Sequence, residues 1–126
     1  MRFRKTASQP HVNSKLPLTP AVFQILLALA DGEKHGYGIL LELSSLSGAV
    51  IKLGPGTVYG TIYRMVADGL IEESDSRPSP EQDDQRRRYY RLTGLGRRIA
   101  RAESARLEEL VRTARTKRLI GSTQRG

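Results

Sequence analysis

Residues Leu53–Glu73, LGPGTVYGTIYRMVADGLIEE, form the stretch that decides the fold. Gly54-Pro55-Gly56 supplies turn chemistry of the kind that precedes a helix, and Asp68-Gly69 places a glycine where the left-handed conformation ends one. Leu70-Ile71 then begin an extended run. Between the two turns, apolar residues recur at helical spacing and gather on one side; they are Val58, Ile62, Met65 and Val66. The stretch predicts a helix that packs one side on a core, stops at a glycine and continues as a strand.

The opposite side of this predicted helix is small, hydroxylated and basic, whereas an ordinary solvated face carries long acidic side chains. Its members are Gly56, Thr57, Gly60, Tyr63 and Arg64. Such a face can lie against an anionic surface. Lys52 comes just before the helix, where a backbone phosphate would lie if the helix entered a groove of DNA.

Length and composition limit the classes of protein that fit the chain. Its 126 residues, 38% of them hydrophobic, suit one domain with a modest core. Twenty-one Lys and Arg against 13 Asp and Glu give a formal charge of +8, which favours nucleic acid as a partner. No apolar run approaches the roughly 20 residues of a membrane-spanning helix, and the N-terminus lacks a secretory signal, so we expect a cytoplasmic protein without a membrane partner. Without Cys, neither disulfides nor a thiolate metal site are expected.

The beginning of the chain predicts an arm and a helix. Residues 1–17 are polar and basic, and we interpret them as a flexible basic N-terminal arm, disordered or loosely docked, that either contacts DNA backbone or is a solvated tail. Thr19-Pro20 suits the cap and first position of a helix that runs to Asp31-Gly32. This helix is apolar over most of its circumference. We therefore expect it to pack on its own domain and on a neighbouring subunit, with Leu26 in the dimer contact.

His35 invites a catalytic interpretation, because it is one of two histidines. No Asp, Glu or Ser pattern places a partner beside it, so we predict a cap or packing residue at a helix start. The β-branched run Ala49–Leu53 predicts either a minor strand or a lead into the next helix.

Two extended segments, Leu70–Ser74 and Arg86–Leu92, predict a two-stranded wing. The polar residues 75–85 between them are too many for a tight turn and include acidic groups that would repel a phosphate backbone. Alternation places Tyr90 and Leu92 on one side of the second strand and Arg91 on the other. Four arginines within six residues favour phosphate contact, and we assign this contact to Arg86, Arg87 and Arg88.

A last helix is predicted for residues 94–120, followed by a frayed tail at 121–126. It holds eight Arg or Lys and three Glu between Arg97 and Arg118. A long helix at the end of a small domain leaves too little of the domain to cover its apolar side, so a second subunit is the expected cover. The side chains assigned to this contact, besides Leu26, are Ile99, Ala102, Leu107, Leu110, Val111 and Ala114.

Three other classes of function were weighed against DNA binding. An enzyme is not expected, because the sequence contains no metal-ligand spacing, no nucleophile with a base and no phosphate loop; no catalytic residue, metal or cofactor is predicted. A basic RNA-binding or ribosome-associated protein fits the charge, but its tyrosines would sit on a helix and a short wing rather than on a stacking platform. A winged helix used only for protein–protein interaction remains an alternative.

Three motifs in order resemble the PadR-like family of bacterial winged-helix transcriptional regulators. They are HGYGI at 35–39, GPGTVYGTIYRMVADGLI at 54–71 and RRRYYRLTGLG at 86–96. The resemblance implies a homodimeric repressor whose third helix enters the major groove at a pseudo-palindromic operator while the wing contacts the backbone. Thr57, Tyr59 and Tyr63 match the family's recognition-helix motif, and the basic run together with Tyr89 matches its wing.

Two departures from the family pattern bear on specificity and ligands. The family commonly has Pro at the position of Gly60 and His at that of Tyr63, so the operator does not carry over. Drug-sensing members of the family stack ligands on aromatic side chains of the last helix, and no aromatic residue follows Tyr90 here, so the resemblance does not imply such a drug pocket. Any small-molecule effector stays unidentified. The sequence as a whole predicts a mainly α fold with a small β-wing: an arm at 1–17, a winged-helix DNA-binding domain at 18–93, a dimerisation helix at 94–120 and a tail at 121–126.

Overall fold

The structure, a computed structural model, describes residue 12 and residues 14–45, 54–74 and 88–121. Within these ranges the elements follow the order helix, strand, helix, helix, strand, strand, helix. They are α1 (Pro20–Ala28), β1 (Lys34–His35), α2 (Gly36–Ser44), α3 (Pro55–Ala67), β2 (Ile71–Glu73), β3 (Tyr89–Leu92) and α4 (Gly94–Thr116). The mainly helical chain with one small sheet confirms the predicted fold class. No helix in these ranges is long and apolar enough to cross a membrane.

The helix starts follow the capping chemistry expected from the sequence. Thr19 caps α1 by accepting a hydrogen bond from the Val22 N–H, with Pro20 at the first helical position. The Nδ1 atom of His35 accepts a hydrogen bond of 2.8 Å from the Gly38 N–H, and its ring meets Tyr89 edge to face at 5.4 Å. The prediction that His35 is a cap and packing residue is confirmed.

A three-stranded antiparallel sheet has the order β1-β3-β2. In β2 and β3, Ile71 lies opposite Leu92 and Glu72 opposite Arg91. Strand β1 was not predicted, because two residues carry no alternation that a sequence pattern could reveal. Lys34 holds β1 to the end of α1: its ammonium donates to the Ala28 carbonyl at 2.7 Å and to the Asp31 carboxylate at 2.8 Å. The run Ala49–Leu53, predicted as a minor strand or a lead, lies outside the described residues.

The core sits between α1, α3, the start of α4 and the sheet. The buried apolar side chains are Val12, Ile25, Leu26, Ala28, Leu29, Ile39, Leu43, Val58, Ile62, Met65, Leu70, Ile71, Tyr90 and Ile99. The core side of α3 differs from the prediction at one position, since Val66 is 38% exposed. Thr61 is buried in that side, and its hydroxyl donates to the Thr57 carbonyl at 2.7 Å, which satisfies it within the helix.

Part of the predicted flexible arm is docked on the core. Val12 is only 6% exposed, and Leu16 packs against the same cluster. The Leu18 N–H donates to the Glu103 carboxylate of α4 at 3.0 Å. Among the described residues of the arm, 12 and 14–17, these contacts favour the docked alternative over disorder, because burying Val12 and Leu16 stabilises the docked position. Residues 1–11 and 13 lie outside the described part.

The end of α3 joins three elements at Leu70. Gly69 has a φ of +80°, its N–H donates to the Val66 carbonyl at 3.1 Å, and the Leu70 N–H donates to the Met65 carbonyl at 2.9 Å. This pair of bonds is a Schellman motif, which ends α3 and turns the chain into β2. The Leu70 carbonyl then accepts from the Thr93 N–H at 3.1 Å.

Helix α4 begins in direct contact with this turn. The Thr93 hydroxyl caps α4 by accepting from the Gly96 N–H at 3.0 Å, and it donates to the Gly69 carbonyl at 2.6 Å. Gly96 is buried so closely against Leu70 that an added Cβ would overlap the Leu70 carbonyl oxygen and lie 3.0 Å from the carbonyl carbon. A side chain at position 96 would therefore push α4 off the turn.

We predict that Gly96→Ala lowers the free energy of unfolding by about 1–3 kcal/mol, because backbone atoms must move to admit one methyl group. Gly94→Ala is the matched control in the same helical turn, since its Cβ meets only the Arg98 guanidinium at 3.7 Å. Urea denaturation of both variants measures the difference. Equal stability of the two variants would contradict the close approach at Gly96.

A buried carboxylate links α4 to the N-terminal segment. Glu103 is 2% exposed and accepts hydrogen bonds from Arg106 at 2.6 and 3.0 Å and from the Leu18 N–H. The hydrogen bonds from Arg106 lower the pKa of Glu103 most, and the Leu18 N–H acts in the same direction, while burial acts against them. The net pKa lies below the ordinary 4.5.

We predict that Glu103→Gln lowers the free energy of unfolding by about 1–3 kcal/mol at neutral pH, because charge-assisted hydrogen bonds are lost. A carboxylate with a depressed pKa stabilises the folded state above its unfolded pKa, and that stability is lost as the pH falls through the folded pKa. The difference from wild type should therefore shrink below about pH 4.5. Urea denaturation across this range measures it. The exposed Glu108→Gln is the control, and a difference that stayed constant with pH would refute the assignment.

Candidate nucleic-acid interface

The outer side of α3 is held in a fixed orientation by its buried side. Val58 and Ile62 are fully buried and Met65 is 1% exposed, so rotation of the helix would expose core side chains. On the outer side, Gly56, Thr57 and Arg64 are exposed and Tyr63 is 72% exposed. Gly60 lies between them and is partly covered. The structure therefore brings together the five residues that the helical pattern predicted for one surface.

Arg64 lies along the helix rather than extending away from it. Its guanidinium donates to the Thr61 hydroxyl at 3.3 Å, one turn toward the start of α3. A Cβ built on Gly60 would lie 3.8 Å from the Arg64 Nη1 atom, which places the guanidinium beside that glycine. A cationic group is thus positioned in the middle of a face formed by small residues.

The glycines on this face have no packing role among the residues that the structure describes. A Cβ at Gly56 would meet nothing within 4 Å, and one at Gly60 would meet only Arg64. Glycine inside a helix lowers stability by roughly 0.5–1 kcal/mol relative to alanine. Within the described residues no packing offsets this loss at Gly60, so a close approach by an external partner is a physical reason for a glycine on this face.

Two tyrosines that the resemblance assigned to DNA contact have other surroundings. The Tyr59 ring packs against the core, and its hydroxyl oxygen is buried, because position 59 lies beside Val58 on the flank of α3. Tyr59 is partly buried and contributes to packing, and its assignment to DNA contact stays a prediction. Tyr89 is half-buried and places its ring against His35, where it supports the start of α2.

The wing carries acidic partners for its arginines. Arg88 contacts the Glu73 carboxylate at 3.1 Å, and Arg91 contacts the Glu72 carboxylate at 2.9 Å. The arginine-rich pattern predicted phosphate contact, and the pairing of Arg88 and Arg91 with the carboxylates of β2 was not predicted. The register that pairs Glu72 with Arg91 was available as a signal once the two strands were aligned on Ile71 and Leu92. Lys52, Arg86 and Arg87 lie outside the described residues, so their assignment to phosphate stays a prediction.

Positive charge is distributed unevenly over the described residues. Residues 54–74, which contain α3, carry one arginine and three carboxylates. The helix α4 and its end carry eight basic and three acidic residues from Arg97 to Arg118. A formal charge of +8 for the chain is therefore not located on the outer side of α3.

The second half of α4 extends beyond the core with an apolar side uncovered. Ile99, Glu103, Leu107, Leu110 and Ala114 follow each other at spacings of three or four residues, so they share one side of the helix. The first two are buried in the chain, whereas Leu110 is 54% and Val111 41% exposed. Leu107, Ala102 and Ala114 are partly exposed.

Two residues assigned to the dimer contact belong to the core instead. Leu26 and Ile99 are fully buried within one chain, so their side chains have no surface for a partner. The periodicity of α1 and α4 could not distinguish burial in the same chain from burial in a second one. Within the described ranges, no group of three His, Cys, Asp or Glu could hold a metal ion.

Comparisons with known proteins agree with this architecture. The model of the Transcriptional regulator PadR-like family matches residues 25–102. A transcriptional regulator of Mycobacterium tuberculosis is 40% identical over 88 residues, which are 70% of this chain and 76% of that protein. An uncharacterized 37.1 kDa protein in transposon TN4556 of Streptomyces fradiae is 35% identical over 86 residues, 68% of this chain. The match spans only 22% of the length of that protein.

The fold is also found in a solved structure. The crystal structure of a PadR family transcription regulator from hypervirulent Clostridium difficile superposes with a TM-score of 0.63 at 24% identity. The match covers 78% of this chain and 97% of that chain. The fold is accordingly that of the winged-helix regulators.

Proposed function

Because the chain belongs to the PadR-like family of transcriptional regulators, we propose that it represses transcription as a homodimer bound to a pseudo-palindromic operator. The matching family and the relative from Mycobacterium tuberculosis are regulators of transcription and not enzymes. The single observation that supports the proposed mode of binding is the outer side of α3, an exposed face of small and cationic residues on a helix that the core holds in place.

We assign base reading to this face. In the major groove, a hydroxyl such as that of Thr57 bonds to either type of base, and an arginine such as Arg64 bonds to the O6 and N7 atoms of guanine. Gly56 and Gly60 allow the helix backbone to approach the groove, since neither has a side chain of its own, and the Arg64 guanidinium lies beside Gly60. The wing arginines contact phosphate, which positions the protein without reading sequence.

Dimerisation through α4 is supported by its uncovered apolar side. Exposed Leu110 continues the side of the helix that is buried at Ile99, and exposed Val111 is adjacent to Leu110; a second α4 would bury them. Two copies related by a two-fold axis would present two α3 helices to two half-sites about one helical turn of DNA apart. Both half-sites would then be bound by one particle, which raises affinity through effective concentration.

We predict that Arg64→Ala weakens operator binding by about 1–3 kcal/mol and changes binding to random duplex much less, because a contact to base edges is lost. The operator is first identified as the intergenic DNA, beginning beside the protein's own gene, that the purified protein protects from cleavage. Titration of both duplexes at one salt concentration measures the difference. Arg112→Ala, an exposed arginine on α4, is the control and should leave both affinities unchanged. Equal losses on the two duplexes would assign Arg64 to phosphate contact instead.

We predict that Leu110→Glu converts the dimer to a monomer, because a carboxylate would be desolvated at the α4 contact. Ala105→Glu is the matched control, since it adds the same charge at an exposed position on the other side of α4. Sedimentation analysis measures the oligomeric state, and DNA titration should show that only Leu110→Glu loses operator affinity. A wild-type chain that is monomeric at micromolar concentration would refute the dimer.

A further inference from the structure

Two ion pairs join β2 and β3 on opposite sides of the sheet. Glu72 and Arg91 lie directly opposite each other, with 2.9 Å between the Arg91 Nε and Glu72 Oε2 atoms. The other pair is diagonal, with 3.1 Å between the Arg88 Nη1 and Glu73 Oε2 atoms. Arg88 directly precedes β3 and lies two residues before Tyr90, the residue that faces Glu73 in the register.

The backbone around the Glu73–Arg88 pair is fixed on both strands. The Arg88 carbonyl accepts from the Gly36 N–H at 3.0 Å, and the Ser74 N–H donates to the Tyr89 carbonyl at 2.8 Å. The two side chains are 34% and 38% exposed. They can therefore separate by rotation about side-chain bonds without any change in the sheet.

A guanidinium binds carboxylate and phosphate with the same fork of N–H donors. The Glu73 carboxylate thus occupies donors of Arg88 that would bind a DNA phosphate. We propose that Glu73 competes with DNA phosphate for the Arg88 guanidinium, so that the wing binds DNA by exchanging one anion for another. The inference rests on the proposed DNA binding. Glu73 in this role lowers affinity for every duplex and leaves base discrimination to α3.

The Glu73–Arg88 pair fits this role better than the Glu72–Arg91 pair. Arg88 directly follows Arg86 and Arg87 in the chain, whereas Arg91 adjoins Leu92 and the start of α4. The Glu72–Arg91 side chains are also more exposed, at 49% each, so water screens that pair more strongly. Glu72 is therefore the matched control for Glu73: it is the neighbouring residue, it carries the same charge, and its side chain lies on the other side of the sheet.

The test measures binding of the full chain to a random-sequence duplex at fixed low salt. Glu73→Gln should bind tighter than wild type by a factor between about 2 and 30 for a dimer, because one exposed ion pair per subunit no longer has to be broken. Operator affinity should rise by the same factor, so that discrimination is unchanged. Glu72→Gln removes the same charge and should change affinity by less than about twofold.

A double-mutant cycle separates competition for Arg88 from a general effect of charge. In an Arg88→Gln background, Glu73→Gln should no longer raise affinity, since the contested guanidinium is absent. A gain that persists in that background, or an equal gain from Glu72→Gln, overturns the inference. If wild type binds duplex and Glu73→Gln binds it no more tightly, the inference is overturned and the proposed function is not. Wild type that binds no duplex overturns the proposed function, and the inference fails with it.

Discussion

The close contact between α4 and the turn at Leu70 is the constraint on which the rest of the structure depends. The Leu70 carbonyl accepts from Thr93, and Gly96 allows α4 to approach the same peptide. Through this contact the end of α3, the base of the wing and the start of α4 share one point of attachment. The three elements to which function is assigned therefore cannot shift independently, because movement of one would break the Schellman turn or the cap of α4. Two glycines make this contact possible. Gly69 adopts the positive φ of the turn, and Gly96 has no side chain to separate α4 from Leu70.

Stability and binding make opposite demands on α3. Its inner side follows the rules of a packed core, with Thr61 satisfied inside the helix. Its outer side violates the local rules, since glycine at positions 56 and 60 weakens a helix without any packing gain in the chain. Local violations of this kind are expected at functional surfaces, where a partner absent from the free chain supplies the compensation. The docking of Val12 and Leu18 against the core and Glu103 stabilises the framework that carries this face.

Much of the fold could be predicted because its signals are local. The caps at Thr19 and His35 and the glycine stop after α3 depend on residues within one turn of each other. The errors concern nonlocal contacts. Strand β1 exists because Lys34 reaches α1 and β3, and Leu26 and Ile99 are core residues because α1 and α4 meet in one chain. Periodicity indicates that one side of a helix is buried, but it does not distinguish packing within the same chain from packing against a second subunit. The outer side of α3 was predicted from periodicity alone, while the assignment of Tyr59 to DNA contact came from resemblance, and its ring packs against the core.

The net positive charge of the chain is not concentrated on the elements assigned to DNA contact. A formal charge of +8 indicates a polyanionic partner, yet residues 54–74 carry more carboxylates than arginines, and the described part of the wing pairs each arginine with a glutamate. Much of the excess positive charge lies on α4 and its end. In a dimer formed through α4, the positive charges of the two subunits would lie close together. Long-range electrostatic attraction to a polyanion would thus come from the net charge of the whole dimer. In the proposed exchange, affinity at contact distance depends on which carboxylates release their arginines, so the acidic residues of the wing would affect the strength of binding as well as the basic ones.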